Sequence, residues 1–320
     1  MNLAVYEITD SKKLTSVDPT GMSDEWFTDS VVRWIKITAA APADVERVLR
    51  PLELQPRIGE ECVSPYKGPQ ALVLERALFM MIPVWTHDEM VNSCVRLLFV
   101  PTTLITIQEE PIPAVEEVAG DLQDDKRLPD GGISALVVQV LEALLRATVP
   151  GYIAMRNSVD AMAGALETDP SEVAVDDLIA LKRRSSRLSN LLEDQLYCLM
   201  ELQEAESETL QLDVVQRRCQ SLLGDIERGR QLIARLEDRT RDLRQSYAHV
   251  LQETTNRRLN ILAMLSAIYL PATLIAGIYG MNFDTIPITK VPYGYTIVIC
   301  IMAVVVVGQL GYFWWRGWLR

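Results

Sequence analysis

Two long runs without a charged residue dominate the C-terminal part of the chain. They cover residues 259–280 and 293–315. At ~1.5 Å of rise per residue, a helix over either run would extend for ~33 Å, enough to cross a hydrocarbon core of roughly 30 Å. A buried hairpin of core helices is the alternative, but uncharged runs of this length are typical of membrane spans. The pattern therefore predicts two transmembrane helices separated by a short polar turn.

The charges beside the two runs predict how they cross the membrane. Two arginines directly precede the first run and two follow the second, whereas the connecting loop carries one aspartate and one lysine. Because positive charge marks the cytoplasmic side, both chain ends are predicted to be cytoplasmic. The N-terminal residues contain no apolar stretch behind basic residues, so no signal peptide is predicted. We expect a multi-pass protein of the cell (inner or plasma) membrane, in contact with the lipid bilayer.

Shorter runs in the first part of the chain predict a mixed α/β domain over residues 1–115. Residues 34–37 form a short extended run, and a helical pattern follows it. Residues 71–85 and 95–110 are rich in strand-forming residues, and the polar connection between them predicts that they are antiparallel neighbours.

Helical periodicity prevails from residue 116 to the membrane. Apolar residues recur at three- and four-residue spacing, and no proline occurs between Pro170 and Pro271. A turn is predicted near residues 205–208, after which one long stalk helix continues without a stop signal into the first membrane run.

The expected fold class is an α+β cytoplasmic domain followed by long helices and two C-terminal transmembrane helices. The predicted boundaries are 1–115 (α/β domain), 116–256 (helical domain with the stalk), 257–281 (first transmembrane helix), 282–292 (extracytoplasmic loop), 293–315 (second transmembrane helix) and 316–320 (basic cytoplasmic tail).

Charge is divided unevenly along the chain. The formal net charge is −12, and five basic and two acidic side chains lie from Leu251 onward, which leaves a net −15 on residues 1–250. An acidic domain argues against nucleic acid as a partner, because binding to phosphates needs clustered Lys and Arg. It suits a domain that works among cations, although solubility alone explains it equally well.

The sequence shows no spacing typical of a catalytic or metal-binding centre. The five cysteines and the two histidines, His87 and His249, are scattered without a CxxC or HxxxH pairing, and no Walker motif occurs. Adjacent carboxylates such as Glu109 and Glu110 fit solvated positions better than acid–base chemistry. We therefore predict no enzyme, no resident cofactor and no assignable set of metal ligands.

One face of the first membrane run is small or polar at most positions. Close packing between helices explains such a face by itself. The functional interpretation is that several copies surround an axis and that this face, the candidate pore stripe, lines a pore. Neutral oxygens can hydrogen-bond to the water shell of an ion, which suits Mg²⁺ because it dehydrates reluctantly. At the 3.5-residue spacing of a supercoiled bundle, the stripe comprises Asn256, Leu259, Ala263, Ser266, Leu270, Thr273, Gly277 and Gly280.

Three short motifs surround the polar turn. Residues 270–277 (Leu-Pro-Ala-Thr-Leu-Ile-Ala-Gly) precede Gly-Met-Asn at 280–282, and Pro-Tyr-Gly-Tyr follows at 292–295. Together they resemble the CorA-type divalent cation transporters, a CorA/ZntB-like family. The tripeptide alone is a weak signal, but two C-terminal spans and a short loop around it make the combination specific. Residues 97–118 also resemble the family's N-terminal domain, so the resemblance covers most of the chain.

The resemblance implies a homopentamer with a funnel-shaped cytoplasmic domain, in which the first spans of five copies line the pore. The outer mouth, where the hydrated ion is first held, would be formed by Gly280, Met281 and Asn282. The function it implies is passage of hydrated divalent cations, with Mg²⁺ as the expected ion, Co²⁺ and Ni²⁺ as further candidates, and the cation also as a regulator. The other implied roles are an inner polar ring at Asn256, a mid-pore hydroxyl at Thr273 and gating constrictions at Leu259, Leu262 and Leu270.

The loop departs from the family pattern. Ile288 stands where the family commonly has Glu, and the single Asp and Lys of the loop cancel, so cations should gather less strongly at the mouth. Two alternatives therefore stay open. One is a Zn²⁺ or other transition-metal transporter of the ZntB type, although that branch usually alters the Met retained here as Met281. The other is a membrane sensor or scaffold that transports nothing.

Overall fold

The computed structural model describes two compact units, Met1–Leu243 and Arg244–Arg320. The described residues are 2–19, 24–27, 29–74, 76–86, 93–124, 126–129, 132–170, 173–207, 210, 212–281, 288 and 292–316.

The strands of the first unit form one mixed sheet in the order β2-β1-β3-β7-β6-β5-β4. Strands β3 and β7 are parallel, and the other neighbouring pairs are antiparallel. The predicted antiparallel pairing of residues 71–85 with 95–110 is confirmed by β5 and β6, where Leu78 is opposite Phe99. The strand bounds are Asn2–Ile8 (β1), Leu14–Val17 (β2), Arg33–Thr38 (β3), Gln70–Val73 (β4), Leu78–Val84 (β5), Ser93–Phe99 (β6) and Thr103–Gln108 (β7).

Helices cover both faces of this sheet. Helices α1 and α2 pack on one face, whereas α3–α6 and the first part of α7 pack on the other. Helix α8 belongs to the second unit. The helix bounds are Pro42–Leu49 (α1), Pro56–Val63 (α2), Pro113–Asp124 (α3), Ile133–Arg146 (α4), Val149–Thr168 (α5), Val175–Glu204 (α6), Asp213–Tyr279 (α7) and Gly294–Trp315 (α8).

The alternation of side chains along the strands creates two layers of core. In β5, Leu78 and Met80 belong to the apolar cluster beneath α3–α7, while Phe79 and Met81 belong to the cluster beneath α1 and α2. Successive side chains of a strand point to opposite faces, so a strand covered on both sides is apolar throughout. All seven residues of β5 are buried accordingly.

Helix α7 is continuous over 67 residues. The predicted turn before it is confirmed, because α6 ends at Glu204 and Ala205 to Ser207 are not helical; Glu208 lies outside the described residues. The predicted boundary between residues 256 and 257 falls inside α7, and the domain boundaries stay predictions. Within the first unit, the buried residues of α7 are Val215, Cys219, Leu222, Ile226, Ile233, Leu236 and Thr240.

Candidate ion pathway

Three segments of the described chain are long and apolar enough to cross a membrane. One of them, Ile133–Thr168, belongs to the first unit, and 56% of its most apolar window is buried by the protein itself. That segment forms core beneath the sheet. The corresponding windows of α7 and α8 are only 6% and 0% buried. These two helices therefore expose apolar surface of the kind that a bilayer covers, at the positions of the two predicted spans.

Within the second unit, one face of each apolar helix is partly covered. A cavity of about 610 Å³ lies between the end of α7 and the beginning of α8, with Ala276 and Tyr279 on one side and Val298 and Met302 on the other. The partly covered positions recur at three- and four-residue spacing, so each helix turns a single face towards the other. They are Met264, Ala267, Ile268, Pro271, Ala272, Ile275 and Tyr279 on α7, and Val298, Met302, Val305, Val306 and Gln309 on α8, where Phe313 is buried.

Except for Gly280, which also lines that cavity, the candidate pore stripe lies away from this covered face, and all of its residues are exposed. Leu259 and Leu270 expose 55% and 70% of their surface, and Leu262, beside the stripe, exposes 59%. A groove of about 540 Å³ follows the upper part of the stripe past Leu270, Thr273 and Gly277. Packing among the described residues of one chain therefore does not explain why Thr273 and Gly277 are small.

The surroundings of Gly277 likewise give no packing reason for a small residue among the described residues. A Cβ added to Gly277 would meet no described atom within 4 Å. If close packing requires a glycine there, the neighbouring surface lies outside the described residues of this chain. The role of the stripe as a pore lining stays a prediction.

Helix α7 ends immediately before the Gly-Met-Asn motif. The amide of Gly280 donates to the carbonyl oxygen of Ala276 at 2.9 Å, and the amide of Met281 donates to that of Ile278 at 3.4 Å. The C-terminus of a helix carries about half an elementary negative charge. Several copies meeting at an axis would present a ring of carbonyl dipoles to a cation. Asn282 lies outside the described residues, so its place in the mouth stays a prediction.

A strained turn precedes the second span. Ile288 and Tyr293 have φ angles of 74° and 71°, in the left-handed region that is unusual for bulky side chains. Gly294 begins α8, and a Cβ there would overlap the carbonyl oxygen of Ile288. In the sequence, Gly294 stands out only as part of the Pro-Tyr-Gly-Tyr motif, because the contact that requires a glycine forms only in the folded turn.

The chemistry of the stripe is that of neutral oxygen. No charged residue lies in 259–280 or 293–315. Among the described residues, no group of three or more His, Cys, Asp or Glu side chains is placed to hold a metal ion. Such a surface can contact a cation through its water shell, because it has no anionic group to replace that shell. Exposed leucines between the polar positions can close a narrow path by excluding water.

Gln309, in the second span, is not among the candidate site residues predicted from the sequence. Its Oε1 atom is buried and has no hydrogen-bond partner among the described residues. An unpaired amide oxygen is costly in a membrane, and polar side chains there commonly bond to neighbouring helices. The sequence feature that could have identified this position is a single amide side chain in an otherwise apolar run.

Comparisons with known proteins agree along nearly the whole chain. A family profile described as "CorA-like Mg2+ transporter protein" matches residues 29–316. The "Cobalt/magnesium transport protein CorA" of Thermotoga maritima is 24% identical over 98% of this chain and 91% of its own length. The "Zinc transport protein ZntB" of Pectobacterium carotovorum is 23% identical over 88% of this chain and 82% of its own length.

The fold is shared with a solved transporter. The structure of the CorA magnesium transporter from Methanocaldococcus jannaschii superimposes with a TM-score of 0.84 at 14% identity, covering 99% of both chains. The α/β domain, the long helix and the two C-terminal apolar helices are thus the architecture expected from the sequence. The chain belongs to the CorA-like Mg²⁺ transporter family, which groups membrane transporters of divalent cations.

Proposed function

We propose that the protein is a homopentameric pore that passes hydrated divalent cations, Mg²⁺ in the first place, across the cell (inner or plasma) membrane. The observation that carries the proposal is the exposed candidate pore stripe on α7, away from the face partly covered in the hairpin with α8. In a symmetric assembly, this stripe would face the axis and α8 would face lipid.

The charge pattern supports the same arrangement. Residues 1–250 carry a net −15, which would raise the local concentration of cations on the cytoplasmic side. Arginines at both ends of the hairpin favour cytoplasmic termini. Exposed Trp314 and Trp315, at the end of α8, fit the interfacial belt of a membrane helix.

Neutral oxygens along the stripe support passage of an ion that keeps its water. Mg²⁺ dehydrates reluctantly and usually keeps several waters, whereas transition-metal ions favour direct nitrogen and sulfur ligands, so Mg²⁺ is the ion best matched to contact through water. The stripe carries no carboxylate, histidine or cysteine between Asn256 and Gly280. It therefore has no side chain of the kind that selects a transition-metal ion by direct ligation.

Zinc transport of the ZntB type is the second candidate. It is favoured by the ZntB relatives, whose identity to this chain is close to that of the CorA relative, and by the neutral loop. Retention of Met281 within Gly-Met-Asn and the oxygen-only stripe support Mg²⁺ instead.

The test is ion uptake by proteoliposomes that contain the purified protein and either a Mg²⁺-sensitive or a Zn²⁺-sensitive dye. We expect Mg²⁺ entry driven by the membrane potential, reduced at least about tenfold in Asn282→Ala, which corresponds to ~1.4 kcal/mol of lost stabilisation at the mouth. Thr296→Ala, which changes a polar residue on α8 rather than on α7, is the control for non-specific damage.

Each outcome separates the candidates. Zinc entry without Mg²⁺ entry would move the protein to the transition-metal branch. Silence with both ions would contradict transport and leave the sensor or scaffold hypothesis. Equal Mg²⁺ entry in wild type and Asn282→Ala would exclude the proposed mouth.

A further inference from the structure

We propose that His249 forms a ring of imidazoles at the cytoplasmic end of the ion path, and that this ring binds a transition-metal dication directly and so blocks the passage of Mg²⁺. The inference rests on the proposed function, because one chain contributes a single imidazole and the site is complete only when several copies surround the axis.

The register of α7 places His249 in line with the candidate pore stripe. The helix is uninterrupted from Asp213 to Tyr279. His249 precedes Asn256 by one heptad, Ala263 by two and Gly277 by four. Residues one heptad apart stay on the same face of a supercoiled helix, and in a straight helix they drift by only ~20°. His249 and Asn256 therefore share a face even without supercoiling.

The polarity of this segment fits an inner, water-filled face. The heptad positions beside His249 on the same face hold Gln245 and Gln252, and all three side chains are exposed. Tyr247 and Val250 lie towards the opposite side and are partly covered. A bundle that buries its inner seam places apolar residues there. Here the positions that continue the stripe are hydrogen-bonding, which suits an axis that contains water and ions.

The chemistry of His249 differs from that of every other residue on the stripe. Imidazole nitrogen is a good ligand for Zn²⁺, Ni²⁺ and Cu²⁺, whereas Mg²⁺ prefers oxygen and retains its waters. Among the described residues of its own chain, His249 makes no hydrogen bond or ion pair, so both ring nitrogens are available. Imidazoles from adjacent copies could bind one ion at ~2.0–2.1 Å each, as in zinc sites. An ion held on the axis would occupy the path.

The position of the ring predicts the side from which block occurs. His249 is eight residues before Arg257, about 12 Å at ~1.5 Å per residue, and Arg257 marks the cytoplasmic boundary of the span. A transition metal added on the cytoplasmic side would meet the ring before it meets the leucines of the span.

The experiment records Mg²⁺ current through the full-length protein in a planar bilayer while Ni²⁺ is added to one chamber at a time. We expect Ni²⁺ to block wild type from one chamber only. In His249→Ala, the half-blocking concentration should rise at least about tenfold, with block expressed as a fraction of each variant's own current. His87→Ala is the matched control, because His87 is the only other histidine of the chain, and it should leave the block within about twofold.

Two adjacent exposed positions, Arg244 and Gln245, test the register. In the His249→Ala background, Gln245→His puts an imidazole back on the same face, one turn before the original position and about 40° round the helix from it. Arg244→His puts the imidazole at nearly the same height but about 140° round the helix from the original position. Gln245→His should restore the block, and Arg244→His should not.

The outcomes distinguish this inference from the proposed function. Absence of Mg²⁺ current in wild type would contradict the pore itself. Mg²⁺ current with no Ni²⁺ block, or with a block that is the same in His249→Ala, would overturn the histidine ring while leaving the pore intact. Equal restoration by Gln245→His and Arg244→His would show that His249 does not face the axis.

Discussion

Gly294 lies so close to the carbonyl oxygen of Ile288 that a Cβ on the glycine would overlap that oxygen. The contact sits at the first residue of α8, next to Tyr293 in the left-handed region. The start of the second span therefore depends on a backbone approach that only glycine permits.

Gly294→Ala should weaken the hairpin, because the turn must shift to relieve the overlap with backbone atoms. A cost of about 1–3 kcal/mol is typical of such local backbone conflicts. We expect faster proteolysis of the loop and loss of oligomer in size-exclusion chromatography in detergent. Gly311→Ala is the control, since a Cβ at Gly311 meets nothing within 4 Å. Wild-type behaviour of Gly294→Ala would contradict the tight turn.

Gly277→Val should strongly reduce transport without unfolding the chain. In one chain, the space around Gly277 is open, so the added methyl groups do not clash with described atoms. In a pore, five copies of the larger side chain would narrow and dry the path, and we expect Mg²⁺ uptake to fall at least about tenfold. The measurement is dye-based uptake, with thermal unfolding and oligomeric state recorded in parallel.

Gly308→Val is the matched control for Gly277→Val. Gly308 is also open in a single chain, but it lies on α8 rather than on the candidate pore stripe. We expect Gly308→Val to retain uptake. Equal loss in both variants would favour helix–helix packing over a pore as the reason for small residues.

The spans were predictable because the bilayer imposes a signal on the sequence itself. A charge-free run can be recognised as a membrane span without knowledge of any tertiary contact. Helix α8, Gly294–Trp315, begins and ends within one residue of the predicted 293–315. The N-terminal strand β1 was missed for the opposite reason. Only Val5 and Tyr6, two adjacent residues, are buried in it. The alternation of buried and exposed side chains that predicts a half-buried strand is therefore absent.

The candidate ion pathway was likewise predictable only in part. The register of the candidate pore stripe follows from spacing along one helix, and the structure leaves that face exposed. The overlap at Gly294 and the unpaired Gln309 depend on which residues meet after folding. The parallel pairing of β3 with β7 was equally hidden, because Arg33 and Thr103 are distant in sequence.

A pH-dependent contact in the first unit tests the packing of α6 on the sheet domain. The hydroxyl of Tyr66 donates to Oδ2 of Asp194 at 2.8 Å. Burial raises the pKa of the Asp194 carboxyl above its ordinary value, and the hydrogen bond from Tyr66 opposes that rise. Because the folded pKa is the higher one, Asp194 favours the folded state most when protonated, below an unfolded pKa of about 3.9. This contribution is lost as the pH rises through the folded pKa.

Tyr66→Phe should therefore destabilise the protein more at neutral pH than in acid. Removal of the hydroxyl leaves the half-buried carboxylate without this donor, and its pKa should rise further. We expect a loss of about 1 kcal/mol at neutral pH and a smaller loss near pH 4, where the raised pKa keeps much of the folded carboxyl protonated. Thermal unfolding of the full-length protein in detergent, followed by tryptophan fluorescence, measures both. Tyr152→Phe is the control, because the Tyr152 hydroxyl has no hydrogen-bond partner among the described residues. An equal loss at both pH values would show that the hydroxyl acts through packing rather than through the charge of Asp194.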